Sequence, residues 1–121
     1  MIKTCGLTHI HLMVKDIQRS LEFYQRVFGM KVRFWAGDAL VFLNTPGSQD
    51  MIALHQSEGD EPTGASGGIA HFGFQLKDSA DLDDAISEVV AAGGVLKTRG
   101  EFTPGMPFAR VSDPDGYEIE L

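Results

Sequence analysis

Cysteine is almost missing from this 121-residue chain, with Cys5 the only one. One thiol closes no intrachain disulfide and builds neither a Cys-x-x-Cys pair nor a Cys/His zinc spacing, which fits a reducing cytoplasm. Positive charge is short as well: there are 10 Lys+Arg against 17 Asp+Glu, and the whole deficit lies in the second half. Residues 1–60 carry 6 basic and 6 acidic side chains, whereas residues 61–121 carry 4 and 11. Without a basic face to collect phosphates, nucleic acid and anionic membrane are excluded as partners. No eighteen apolar residues run together, and no basic stretch precedes an apolar core at the start, so neither a membrane span nor an export signal is expected. What remains, 43% hydrophobic and 22% charged, is the composition of one ordinary domain spanning 1–121.

The chain repeats itself. LTHIHLMVKD (7–16) aligns without a gap to IAHFGFQLKD (69–78), so that His9 meets His71, Lys15 meets Lys77 and Asp16 meets Asp78. After each Asp the pattern turns helical: Ile17, Leu21, Tyr24 and Phe28 share one face in the first copy, and Leu82, Ile86, Val89 and Gly93 share one in the second. Asp16 and Asp78 are placed to cap these helices, and Gly29 and Gly93-Gly94 to end them. Each helix is followed by three strand-like runs: KVRFWA, ALVFLN and DMIALHQ, then VLKTRG, PFARVS and GYEIEL. The turns Thr45-Pro46-Gly47-Ser48 and Asp113-Pro114-Asp115-Gly116 separate the last two strands of each half. The reading is α+β: two βαβββ modules, 1–57 and 69–121, joined by a glycine-rich linker at 58–68, with helices on one face of mixed sheets.

Strand alternation sorts the side chains by face. Ile10, Leu12 and Val14 oppose His9, His11 and Met13; Phe72, Phe74 and Leu76 oppose His71, Gly73 and Gln75. Ile52 and Leu54 oppose Met51, Ala53 and His55, and Ile119 and Leu121 oppose Glu118 and Glu120. The apolar sides are expected to meet the helices, at roughly 1.5–3 kcal/mol per buried side chain. The other face then carries all four histidines and two carboxylates, the ligand types of a divalent transition metal. Arg33 with Trp35, and Phe108 with Arg110, are paired by the same alternation as possible substrate contacts, and Trp35, Phe42, Phe102, Phe108 and Tyr117 as possible lining.

THIHLMVKDIQRSLEFYQRVFGMKV, GGIAHFGFQLKD and VSDPDGYEIEL together resemble the vicinal oxygen chelate superfamily, which includes glyoxalase I, extradiol dioxygenases, methylmalonyl-CoA epimerase and fosfomycin- and bleomycin-resistance proteins. The resemblance implies paired βαβββ modules forming a cup-shaped sheet around a metal, usually in a homodimer. It matches the first-strand histidine ligand to His9, the second-module histidine to His71 and the terminal carboxylate to Glu120. In glyoxalase I a fourth ligand comes from the last strand of the first module. Aligning Ile52-Ala53-Leu54 with Ile119-Glu120-Leu121 puts alanine there, and alanine cannot ligate.

The expected function is accordingly that of a cytoplasmic enzyme holding one divalent ion (Fe, Mn, Zn or Ni) through His9, His71 and Glu120. It would chelate adjacent oxygens of a small substrate for lyase, isomerase or ring-cleaving dioxygenase chemistry, with His55 or Glu118 moving the proton. The alternative is a metal-free binding protein of the bleomycin-resistance type.

Overall fold

Asp16 starts the first helix as its position predicts. In the computed structural model, which describes residues 1–65 and 67–121, its carboxylate accepts the backbone N–H groups of Gln18 and Arg19, both at 3.1 Å, and α1 runs over Ile17–Phe28. Gly29 ends it in the left-handed region at φ 63°, where a Cβ is disfavoured. Asp78 caps a 3-10 turn (Ser79–Asp81) through the N–H of Ala80 at 2.9 Å, and α2 (Leu82–Ala91) follows without a side-chain cap of its own. Ser66, in the stretch 58–68 expected as a linker, lies outside the described residues.

The described residues gather into two units, Met1–Glu61 and Pro62–Leu121. The first contains β1 (Ile10–Val14), α1, β2 (Lys31–Trp35), β3 (Leu40–Asn44) and β4 (Ile52–Gln56). Its sheet has the order β1-β4-β3-β2, parallel at β1–β4 and antiparallel elsewhere. The second contains β5 (Phe72–Gly73), α2, β6 (Val95–Glu101), β7 (Pro107–Ser112) and β8 (Glu118–Glu120), in the order β5-β8-β7-β6 with β5 and β8 parallel. The architecture is the expected α+β one of two βαβββ modules.

Burial follows the alternation. Leu12, Val14, Val41, Leu43, Ile52 and Leu54 pack with Ile17, Phe23 and Tyr24 in the core of the first unit, and Val111 and Ile119 with Leu82, Ile86 and Val89 in that of the second. Leu21 and Phe28, expected on the inner face of α1, are only partly buried, while Phe23 takes the inner position. The side chain of Gln56 ties the end of β4 to the start of α1: its Oε1 accepts the Ile17 N–H at 2.9 Å, and its Nε2 donates to the Lys15 carbonyl at 2.7 Å. Gly94 is required by contact: a Cβ there would lie 2.5 Å from both the Ser112 carbonyl oxygen and a Val89 methyl.

Two strands depart from the reading by alternation. β5 stops at Gly73 instead of continuing to Leu76, because its partner β8 spans only Glu118–Glu120 and offers no further rung beyond the Phe74 N–H to Glu120 carbonyl bond at 2.9 Å. In β2 the register shifts between Val32 and Phe34, so Phe34 pairs with Phe42 and Trp35 with the buried Val41. A bulge inserts one residue and reverses the alternation beyond it, which takes Trp35 out of the substrate-facing set expected for it.

Candidate metal and substrate site

In the first unit, the parallel register of β1 and β4 sets His11 opposite Ala53 and Met13 opposite His55. His11 Nε2 and His55 Nδ1 lie 3.1 Å apart, a hydrogen bond in which one ring donates and the other accepts. Partial desolvation on the sheet, then the proximity of His55 and of His9, holds the pKa of His11 below its ordinary value. His9 pairs through Nδ1 with the Thr8 hydroxyl at 2.7 Å and sets its ring edge-on to Phe42, with centroids 6.1 Å apart. Phe42 is stacked in turn on Phe34 at 4.5 Å. Phe34 was not expected here, since only the bulge brings it to this face.

In the second unit, Glu120 is the hub. Its Oε2 lies 3.3 Å from His71 Nε2 and 3.3 Å from Arg110 Nε, and all three side chains are partly buried. Arg110 faces Glu120 across the β7–β8 pair. The turn feeding β8 is fixed by Asp113, buried at 2% exposure, whose Oδ1 accepts the N–H groups of Asp115 and Tyr117, both at 2.9 Å. The chain therefore enters β8 with Glu118 and Glu120 on the same side. Glu120 also lines a cleft of about 480 Å³ with Phe102, Met106 and Phe108. Glu118 lines a different hollow, formed with Ala65 and the segment Gly67–Ala70. The sequence pairs Arg110 with Phe108 by face, which is correct, but its bond to Glu120 becomes visible only from the hairpin register.

The two registers test the internal alignment. Ile10 pairs with Ile52 in the first unit, and its repeat counterpart Phe72 pairs with Ile119 in the second. One rung on, Ala53 therefore occupies the place of Glu120, and His11 the place of Gly73. On the neighbouring strand, Phe42 pairs with Ala53 as Arg110 pairs with Glu120.

These donors suit a divalent metal chemically. At metal–ligand bonds of about 2.0–2.2 Å, adjacent donors around one ion sit roughly 3.0–3.5 Å apart, and the His71–Glu120 nitrogen–oxygen separation is 3.3 Å. His71 Nδ1 is buried without a hydrogen-bond partner, which leaves Nε2 as the ring atom turned to another group. Within either unit, the described residues bring no third His, Cys, Asp or Glu side chain to complete a metal-binding group. His9 belongs to the first unit, and His71 and Glu120 to the second.

Comparison with known proteins bears on the whole chain. The family model for the Glyoxalase/Bleomycin resistance protein/Dioxygenase superfamily matches residues 6–121. Lactoylglutathione lyase of Salmonella typhimurium is 30% identical over 123 residues, covering 95% of this chain and 90% of the lyase. A trivalent organoarsenical cleaving enzyme of Bacillus is 30% identical over 119 residues, covering 93% of this chain and 70% of that enzyme. In fold, the fosfomycin resistance protein FosX of Listeria monocytogenes superposes with a TM-score of 0.79 at 22% identity, over 98% of this chain and 91% of that one. Among the described residues, no helix is long and apolar enough to cross a membrane.

Proposed function

The chain belongs to the glyoxalase/bleomycin resistance protein/dioxygenase superfamily, and from that premise we propose that it is a divalent-metal-dependent enzyme acting on adjacent oxygens of a small substrate. The observation that carries this reading is the pairing of His71 Nε2 with Glu120 Oε2 at 3.3 Å. We assign His9, His71 and Glu120 as the ligands of one Fe, Mn, Zn or Ni ion, His9 by its repeat equivalence to His71. Relatives named as a lyase and as a cleaving enzyme support catalysis over sequestration. A binding module that merely enclosed a drug has no use for a histidine and a carboxylate at this separation.

Once bound, a divalent ion supplies Lewis acidity to two adjacent substrate oxygens, as lyase, isomerase and ring-cleaving reactions require. The chain's own residues do the rest. Arg110 donates to Glu120 Oε2, the same oxygen that lies 3.3 Å from His71 Nε2, and this charge-assisted bond holds the carboxylate in place beside the imidazole. Ala53 contributes no ligand, leaving open the position that glyoxalase I fills. His55 is the proposed proton carrier: its Nδ1 is engaged by His11, which leaves Nε2 to take a proton from substrate and return it. Glu118, two residues before Glu120 on the same side of β8, is the second proposed carrier.

Metal analysis of protein purified without chelator tests the assignment directly. One equivalent of a divalent metal, lost on His71→Ala, is the expected result; full retention of metal in that variant overturns it. A homodimer is proposed as well, because β2 and β6 are sheet-edge strands exposed at every residue and edges of that kind seek cover. Sedimentation at micromolar concentration should show a dimer. The unpaired, exposed Cys5 suits a cytoplasmic setting for this enzyme.

A further inference from the structure

Among the large apolar side chains of the second unit that stand outside its core, Phe102 is 58% exposed and Met106 59%. Both belong to the connection between β6 and β7, and neither is loosely held. The Phe102 N–H donates to the Met106 carbonyl at 3.1 Å, the Met106 N–H donates to the Thr103 carbonyl at 2.9 Å, and the Phe102 ring stacks on Phe108 with centroids 4.4 Å apart and planes 23° from parallel. Exposing them costs hydrophobic free energy that burial would recover. Both line the same cleft of about 480 Å³ that Glu120 lines, a volume within the usual range for small-molecule sites.

The chemistry of the lining selects the ligand. No Lys or Arg side chain lines the cleft, and Arg110 is already engaged by Glu120, so nothing there neutralises a phosphonate or a free carboxylate. The unit's acidic excess makes an anion less welcome still. A flat uncharged ring, by contrast, extends an aromatic stack already in place and contacts the Met106 thioether. Gln75 lines the same cleft and offers an amide to a neutral polar substituent.

We infer that this cleft is a subsite for an uncharged aromatic group, and that the substrate carries such a group next to its adjacent oxygens. The ring subsite stands on the lining alone. The placement of the oxygens beside it rests on the metal reading proposed above. Phe102 and Met106 are then specificity-determining residues.

Two simple hydroxamates test this, because both offer the same pair of adjacent oxygens while one carries a phenyl ring and the other a methyl group. On the Zn(II)-loaded protein, benzohydroxamate should bind roughly tenfold more tightly than acetohydroxamate. In Phe102→Ala that ratio should fall to about one, with acetohydroxamate affinity and metal content unchanged. In the metal-free protein, benzyl alcohol should shift the Met106 methyl resonance, and Phe102→Ala should abolish the shift. Where both hydroxamates bind in a metal-dependent way, a phenyl preference that is absent from the wild type, or that persists in Phe102→Ala, overturns the inference, as does a Met106 methyl that benzyl alcohol leaves unmoved. If neither hydroxamate binds in a metal-dependent way while benzyl alcohol still shifts Met106, the metal reading fails and the aromatic subsite is upheld.

Discussion

The two units share one chain path but not one chemistry, and the contrast is sharpest at a single rung. Where the second unit sets Glu120 between His71 and Arg110, the first sets Ala53, fully buried, beside His11 and Phe42. The second unit keeps a glycine opposite its carboxylate; the first has a histidine there, bonded to His55. A duplicated scaffold has thus been divided. One half offers a carboxylate with a cationic support, and the other offers imidazoles on an aromatic surface. Duplication fixes where side chains stand, and substitution at equivalent rungs decides what each half can do.

The most severe way to break this comparison is to remove the histidine that the charged half sets beside its carboxylate. His71→Ala should lower metal affinity by more than the roughly 10–100-fold that loss of a supporting partner costs, measured by competition with a chromophoric chelator. Next in size, Arg110→Met should weaken metal binding by about 10–100-fold, since Glu120 loses the group that orients it. If affinity rises instead, Arg110 acts on Glu120 as a competitor.

Ala53→Glu sharpens the contrast by giving the first unit the carboxylate of the second. Metal should then bind more tightly while turnover falls, because a position left open to substrate becomes occupied. A variant unchanged in both respects would falsify the equivalence of the two rungs.

The smallest effect concerns His11. Its pKa in the folded protein lies below the ordinary 6.5, so as pH falls the unfolded chain takes up this proton first. The associated stability is whole above about pH 6.5 and drains away as pH falls through that value toward the lowered one. Urea unfolding of metal-free protein between about pH 5 and 8 should show a shallower slope in His11→Asn than in wild type; identical slopes would assign the pH dependence to other groups.

Much of this molecule is legible in its sequence alone. The repeat of LTHIHLMVKD as IAHFGFQLKD predicted two like modules, Asp16 and Gly29 predicted the ends of α1, and alternation predicted that Val14, Leu54 and Ile119 would be buried. These are local properties: capping, periodicity and turn chemistry act over a few residues, and the sequence displays them directly. The alignment of Ala53 with Glu120 was legible too, because duplication preserves register.

Other features were decided only in three dimensions. The bulge in β2, which exchanges Trp35 for Phe34 on the histidine face, leaves no mark on a pattern of alternating residues, since an inserted residue looks like any other. The Arg110–Glu120 and His11–His55 bonds join residues 10 and 44 positions apart, and side chains so separated meet only once strand pairing has set their rungs. The aromatic cleft also needed the fold: the sequence offers Phe102 and Phe108 only as two of five lining aromatics and gives no sign of Met106, until the β6–β7 connection leaves Phe102 and Met106 in solvent beside a carboxylate. Local sequence determines which elements form and which side of each is apolar. Pairing, a long-range choice settled by the summed burial of both sheets, determines which polar groups become neighbours.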